Sequence, residues 1–476
     1  MATDTDRMDR RHFLKDALGV GAAWMLAACG GMRTAPTVAP THGASQSRGS
    51  PQPEATQVYT GEKRSSSAAE VTFWTVFSDI YLQAQQEMVK RFNEQHQDVY
   101  VKLVRVPLTS VSDTSKLLTA VRGGTGPDVY MVNRPFAIQS AATGVLQELD
   151  QFGITRADVE DRYLPFAARE VIYRGKVYAL PFDTDDRALY YRRDLLRKAG
   201  VDLKLLDPDQ GPPTIDLVRE LAAKLDESGP RGYSRLGFIP WYAEGYVHYT
   251  WGYVFGGSFY DLQACKVTPL NPGVVKAYEF AYDWAKTYGP QKLQSFLASY
   301  VNANIPPSQN VFFTGKLGLM VNGDWMLALI EQYAPKLDYG ITYIPVVKQG
   351  DEPVTWGGGW APAIPQGAKQ PEAAAKFLAW FCGEEGQRMY VRATAHLPTL
   401  KSLVDDHSLY TPRHRFFAQL LPKAKSLAPV PVGALYWDEL QAAQEKVVLN
   451  QATPQEALQQ VDTRVNQQLQ QYCPVV

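Results

Sequence analysis

From Val71 onward the apolar positions switch repeatedly between two periods. The run "VTFWTVF" alternates, with Val71, Phe73 and Thr75 on one face and Thr72, Trp74 and Val76 on the other, which predicts a strand. Over 80–95, Leu82, Gln85, Val89 and Phe92 fall along one helical stripe. "VYVKLVRV" (99–106) is strand again, 115–122 predicts a helix, and "DVYMVN" (128–133) a further strand. Strands alternating with helices imply an α/β domain with a mostly parallel sheet.

Later segments are richer in helix. Thr214 is placed to cap a helix carrying Leu217, Val218, Leu221 and Leu225, and Asn271 with Pro272 opens one running through Trp284. Thr453 and Glu456 make a capping box for the final helix. "FTGKLGLMVNGDWML" (313–327) runs as a strand into Asn322, Gly323 and Asp324 and presents Trp325 from a turn, where a site rather than a core would place it. The stretch 30–69 is mostly Thr, Ser, Pro, Ala, Gly and Gln. It predicts a flexible tether with a reach on the order of 35 Å.

The chain has 476 residues, 45% hydrophobic and 20% charged, which exceeds what one core usually holds, so two or more domains are expected. Lys+Arg 48 against Asp+Glu 49 leaves a net charge of -1, without the electrostatic footprint of a nucleic-acid binder. Trp 10 and Tyr 26 supply contact surface for something flat and apolar-faced.

The beginning of the chain addresses the compartment. Arg10, Arg11 and Lys15 precede an uncharged run from 17 to 28, the layout of a signal peptide and too short to span a bilayer. The paired arginines followed by Phe13, Leu14 and Lys15 resemble a twin-arginine export signal, with Asp9 where Ser or Thr is usual. "LAAC" (26–29) resembles a bacterial lipobox, which implies acylation of Cys29 and export to the outer face of the cell membrane. Cys265, Cys382 and Cys473 are far apart and form no CxxC pair, so buried free thiols are the default and one disulfide the alternative. The seven histidines show no ligand spacing, and neither a metal nor a cofactor is predicted.

"RGGTGPD" (122–128) has phosphate-loop glycines, but they follow a helix and precede a strand, so they read as a helix C-cap and turn. No GxxxxGK[ST], GxSxG or HExxH occurs. In "GKVYALPFDTDDRALYYRRDLL" (175–196) an apolar strand stops at Pro181, Asp183, Asp185 and Asp186 follow, and an aromatic strand resumes at Leu189. Asp186 reads as a turn residue paired to Arg187. Asp183 and Asp185 are candidates for accepting hydrogen bonds from neighbouring sugar hydroxyls, with a solvated turn as the alternative.

These segments together resemble the extracellular solute-binding proteins of bacterial ABC importers, family 1, the cluster with maltose and glycerol-phosphate binders. The likeness covers 71–476 and rests on the lipobox, "GPDVYMVN" followed by "GVLQELD", the 175–196 segment, "F-x-x-GK-x-x-x-M-x-NGDW", "YGITYIPV" and "GGGWAPAIPQGAKQPEAAAKFLAWF". It implies a two-lobed α/β periplasmic-binding-protein fold, type II, with a ligand cleft between lobes joined by hinge crossovers. The implied division is 1–29 signal peptide, 30–69 tether, 70–183 with 320–356 as the first lobe, and 184–319 with 357–476 as the second. Crossings are expected after "ALPF", near "LGLMVNGDW" and around "WGGGWAPAI".

The resemblance brings Trp325 to the cleft. Trp74 and Asp79, Asn133 and Arg134, and Asp183 and Asp185 are carried over from the first lobe and first crossing. Trp241, Tyr246 and Trp251 offer rings from the second lobe, Gly358 and Trp360 sit at the last crossing, and Tyr436 and Trp437 match a late aromatic position. Trp284 and Trp380 share a helical stripe with Phe280 and Phe377 and read as core, and Trp356 as hinge packing. About half of the six tryptophans near turns are expected to touch ligand.

The implied function is capture of a sugar or oligosaccharide by hinge closure, as a monomer, and its delivery to the permease subunits of the importer. The alternatives are a binder of a phosphorylated or other polar solute, and a secreted carbohydrate-active enzyme using Asp183 and Asp185. A phosphate would call for a cationic pocket, and Arg134 is the only basic residue among the candidates.

Overall fold

The structure, a computed structural model, describes residues 55–107, 112–229, 232–301 and 305–475. Signal peptide, twin-arginine motif and Cys29 therefore lie outside the described residues, as does most of the expected tether. Ten strands build two five-stranded sheets: β1 (Thr56–Val58), β2 (Ala69–Thr75), β3 (Val99–Arg105), β4 (Val129–Asn133), β5 (Arg187–Arg192), β6 (Glu227–Gly229), β7 (Gly232–Phe238), β8 (Leu317–Gly323), β9 (Tyr339–Thr342) and β10 (Trp360–Ala363). The helices around them include α1 (Asp79–Gln95), α2 (Ala137–Ala142), α3 (Ile215–Leu225), α4 (Pro272–Tyr288), α5 (Met326–Tyr333), α6 (Pro371–Phe381), α7 (Glu384–Thr394), α8 (Gly433–Val448) and α9 (Pro454–Leu469).

The first sheet has the order β1-β3-β2-β4-β10. Its central strands β3, β2 and β4 run parallel, and both edges are antiparallel, so the sheet is mixed rather than mostly parallel. Period-two patterning buries Val71 and Phe73 of β2 with Val99, Val101 and Leu103 of β3. Helix α1 turns Met88, Val89 and Phe92 onto them. The rings of Phe73, Phe92, Phe377 and Phe381 interlock with centroids 5.1–5.5 Å apart, tying α1 and α6 to the sheet.

Part of the expected tether is ordered. Thr56–Val58 pairs antiparallel with β3, Thr60 is buried, and the Asn93 amide donates to the Thr60 carbonyl at 3.0 Å. A sheet edge offers a row of unpaired backbone groups that a polar segment satisfies as well as an apolar one. Composition therefore does not reveal β1.

The second sheet has the order β9-β5-β8-β7-β6, with β8 antiparallel to β5 and parallel to β7. This corrects the expected lobe boundaries. Strands β8 and β9, expected in the first lobe, pair within the second sheet, whereas β10, expected in the second lobe, pairs with β4 in the first. Every residue of β8 is buried, as befits a central strand covered on both faces, and such a strand carries no local sign of which sheet it enters. No crossing occurs in "LGLMVNGDW". The chain instead crosses at 183–186, again at 355–359, and returns to the second lobe after Leu397–Pro398 through the short strand Ala424–Ser426 into α8. The crossing strands lie side by side, Asp183–Thr184 against Leu397–Pro398 and Thr355–Gly357 against Ala424–Ser426.

Three predicted helix starts are built as read. The Thr214 hydroxyl accepts from Leu217 N–H, Asn271 caps α4 through Gly273 N–H, and Thr453 with Glu456 forms both halves of the capping box of α9. Cys265 and Cys473 form a disulfide, which corrects the default of free thiols, while Cys382 is free and buried. Among the described residues no helix is long and apolar enough to cross a membrane.

Candidate functional site

Where the crossing strands meet, a cavity of about 220 Å³ opens between the lobes. The first lobe supplies Tyr81 from the first turn of α1, Asn133 from the end of β4, Phe136 just beyond, and His396. The second supplies Arg187 at the start of β5, Glu244 and Tyr246 after β7, Trp325 at the head of α5 and Trp437 of α8. Asp185, Trp356, Gly358 and Trp360 line it from the crossings. Its position at strand ends follows from the fold, since strands of both sheets stop where the chain must turn to change lobes.

Arg187 organises the charges. It is paired with Asp185, donates from Nε and Nη2 to Glu244 Oε2 at 3.2 and 3.0 Å, and donates from Nη1 to the Trp356 carbonyl at 3.2 Å. Its guanidinium lies 3.4 Å from the Trp356 ring centroid and 5.1 Å from that of Trp325. The cation is 4% exposed, and a charge so deeply placed is tolerated because two carboxylates and a carbonyl satisfy it. Asp185 Oδ1 also accepts from Gly358 N–H at 2.6 Å. Arg187 thus pairs with Asp185 and Glu244, not with Asp186 as the sequence suggested, because β5 swings its side chain across to the loop after β7.

A second pair spans the lobes. His396 Nδ1 stands 3.4 Å from Asp324 Oδ2, and the Tyr81 hydroxyl donates to the Trp325 carbonyl at 3.3 Å. Burial works against the charged imidazole, but the carboxylates of Asp324, Asp183 and Asp185 push its pKa up to about 9. Burial raises Asp183 to about 6. Burial, with Asp324 and Asp185 nearby, holds Asp186 well above the usual carboxylate range. Neither oxygen of Asp186 has a hydrogen-bond partner among the described residues, which a neutral carboxyl survives better than a carboxylate.

Of the residues chosen from sequence, the cavity gathers Asn133, Asp185, Tyr246, Trp325, Gly358, Trp360 and Trp437. The others stand elsewhere. Trp74 packs against the first lobe's core, and Asp79 is exposed in the first turn of α1. Arg134 is fully buried 3.0 Å from Glu170. Asp183 turns inward to accept from Trp360 N–H at 2.6 Å. Trp241 packs between the two cores, Trp251 is fully buried and donates to the Pro240 carbonyl at 2.8 Å, and Tyr436 is fully buried. Successive side chains on a helix are turned about 100° from each other, so Trp437 reaches the cleft while Tyr436 stays in the core. Trp284 is buried as expected, whereas Trp380 is half-buried at the edge of the first core.

Sequence reading missed Tyr81, Phe136, Arg187, Glu244 and His396, and assigned Trp356 to hinge packing alone. The one local signal was the acidic run before Arg187, which announces a buried cation only once Glu244 is known to lie opposite.

The site is suited to holding rather than cutting. The carboxyl of Asp183 is turned away to Trp360 N–H and Asp185 is held by Arg187, so the Asp183 and Asp185 pair considered for hydrolysis does not face the cavity together. Among the described residues no cluster of His, Cys, Asp and Glu has the makings of a metal site.

The model of the bacterial extracellular solute-binding protein family matches residues 87–414. The maltotriose-binding protein of Pyrococcus abyssi is 23% identical over 386 residues, 80% of this chain and 78% of that protein. The maltodextrin-binding protein MdxE of Bacillus subtilis is 26% identical over 319 residues, 66% of this chain and 69% of that protein. Among solved structures, mannotriose-bound CpMnBP1 superposes with a TM-score of 0.72 at 23% identity, covering 83% of this chain and 99% of that one. The GacH receptor of Streptomyces glaucescens gives 0.67 at 24% identity, with 85% and 99% covered. These likenesses establish the two-lobed type II fold, and with the family match over 87–414 the chain belongs to the bacterial extracellular solute-binding protein family.

Proposed function

We propose that the chain is the binding component of an ABC importer, capturing a sugar or short oligosaccharide between its lobes and passing it intact to a membrane permease. The observation that carries this reading is the cavity itself: rings of Trp325, Trp356, Trp360 and Trp437 surround two carboxylates, Asp185 and Glu244, fixed by one buried cation. Indole faces suit the C–H faces of a pyranose, and carboxylate oxygens suit its hydroxyls. Relatives named as binders of maltotriose, maltodextrin and maltooligosaccharide support the same class.

A cavity of about 220 Å³ falls below the ~300–1,000 Å³ of sites for drug-sized molecules, which favours one or two sugar units in this arrangement of the lobes. A phosphorylated solute finds the cations here already engaged, Arg187 by two carboxylates and His396 by Asp324. Binding acts by population shift: a ligand touching both lobes favours closure by its differential affinity for the closed state. The chain works as a monomer, exported and anchored through an acylated Cys29.

Thermal-shift and calorimetric titration with mannobiose, mannotriose, maltotriose and their monosaccharides tests the reading. A bound sugar raises Tm and is recovered chemically unchanged. No shift with any neutral sugar, or recovery of shortened sugars, overturns it.

A further inference from the structure

The segment after α9 makes a contact that sugar capture does not call for. Cys473 follows the turn Gln470–Tyr472 and is bonded to Cys265, which sits between the paired strands Tyr260–Asp261 and Lys266–Val267. Both cysteines belong to the second lobe, for the Asn466 side chain of α9 accepts from Val267 N–H at 2.9 Å and donates to its carbonyl at 3.1 Å. Beyond Cys473 the chain leaves that lobe. Val475, 5% exposed, packs in one apolar cluster with Ile138 and Ala141 of α2 and with Tyr173, all of the first lobe, and Leu262 and Cys265 of the second lobe pack against the same cluster. Arg174, also of the first lobe, donates to the carbonyls of Tyr472 at 3.1 Å and Pro474 at 3.4 Å.

We infer that residues 474–475 form a strap between the lobes, held in place by the Cys265–Cys473 disulfide, and that reduction of this disulfide releases the strap and frees the lobes to separate. The disulfide shortens the leash on the tail: with it, Val475 lies two residues from a point fixed on the second lobe. Without it, the nearest anchors on the second lobe are the end of α9 and Tyr472, which packs against that lobe's core. Opening the lobes while the disulfide is intact must pull Val475 off α2 and break both bonds to Arg174. The strap is built to detach locally. A cavity of about 600 Å³, lined by Arg156, Arg169, Tyr173 and Leu262 among others, lies alongside it, and residues 474–475 belong to neither five-stranded sheet, so their release breaks no ladder. Cys473 is exposed, open to an external dithiol. Two thiol–disulfide exchanges then convert Cys265–Cys473 to two thiols while the dithiol becomes its own disulfide, with two electrons and two protons transferred.

The test is amide hydrogen exchange with small-angle scattering on four forms of the full chain: oxidised, dithiothreitol-reduced, Cys473→Ser and Val475→Lys. The lysine keeps the disulfide but sets a cation among Arg156, Arg169 and Arg174, with the one carboxylate of that lining, Glu160, already paired to Arg156. In all three altered forms, exchange over Ala137–Ala142 and Ile172–Tyr173 speeds by on the order of tenfold, the worth of one buried apolar side chain and its bonds. The strands of both sheets stay protected and the radius of gyration rises. If reduction and Cys473→Ser loosen only 260–267 and leave α2 unchanged, the disulfide is an internal staple of the second lobe and the inference falls. If those two forms unfold outright, Val475→Lys decides: unchanged exchange over α2 overturns the strap, and faster exchange there with a larger radius supports it.

Discussion

The guanidinium of Arg187 lies 3.4 Å from the ring centroid of Trp356, with Asp185 and Glu244 both drawn onto the same cation. One buried positive charge therefore fixes an indole ring and two carboxylates that face the same cavity. The cleft's shape and its charge are set by a single side chain.

Removing that cation strands two carboxylates in a poorly solvated site. Arg187→Ala is expected to lower stability by about 3–5 kcal/mol and to abolish sugar binding. Adding Asp185→Asn and Glu244→Gln to the same chain should recover much of the stability without restoring affinity. Urea unfolding alongside calorimetry separates the two effects, and a single variant of wild-type stability would refute the account.

The tryptophans divide by what they face. Trp325→Ala and Trp360→Ala, at half-buried rings on the cavity, should weaken sugar binding about tenfold each with little change in Tm. Trp251→Ala, at a fully buried ring, should cost about 3–5 kcal/mol of stability and touch affinity only through it. Measuring Kd and Tm on the three variants checks the division, and the reverse pattern contradicts it.

Protons bind more tightly to the crossing site in the folded chain than in the unfolded one. His396 is raised from 6.5 to about 9, so its stabilising pairing is complete below about 6.5 and is lost as pH climbs through 9. Asp183, raised from 3.8 to about 6, prefers to be protonated when folded, so stability also falls as pH rises across that lower window. The two windows carry the same sign. Denaturation midpoints should decline from pH 5 to pH 9, and His396→Gln should flatten the slope above pH 6.5, where a slope unchanged in that variant rejects the assignment.

Gly359 holds the crossing strands close. Its φ is +123°, and a Cβ there would stand 2.3 Å from the Asp183 carbonyl and 2.9 Å from Arg134 Nη2. Gly359→Ala should cost at least about 1–3 kcal/mol and spread the two crossings, lowering both Tm and sugar affinity. Gly350→Ala, at a φ of +88° with nothing within 4 Å, supplies the control for positive-φ strain without a clash.

Periodicity and capping along the chain by themselves determined much of the local structure. The caps at Thr214, Asn271 and Thr453 are satisfied within three residues of themselves, and the alternation of 71–77 and the stripe from Leu82 to Phe92 declare strand and helix by their period alone, whatever they later pack against. Trp325 was legible for the same reason, since a turn that follows a strand must present its side chain outward. Tertiary structure alone decided which sheet β8 and β10 enter, that 56–58 becomes an edge strand, and that Cys265 meets Cys473 across 208 positions. It alone joined Arg187 to Glu244 and His396 to Asp324. Those partners lie 57 and 72 positions apart in sequence, and what selects them is the cost of leaving a buried charge unpaired, a quantity that exists only once the chain has folded around it.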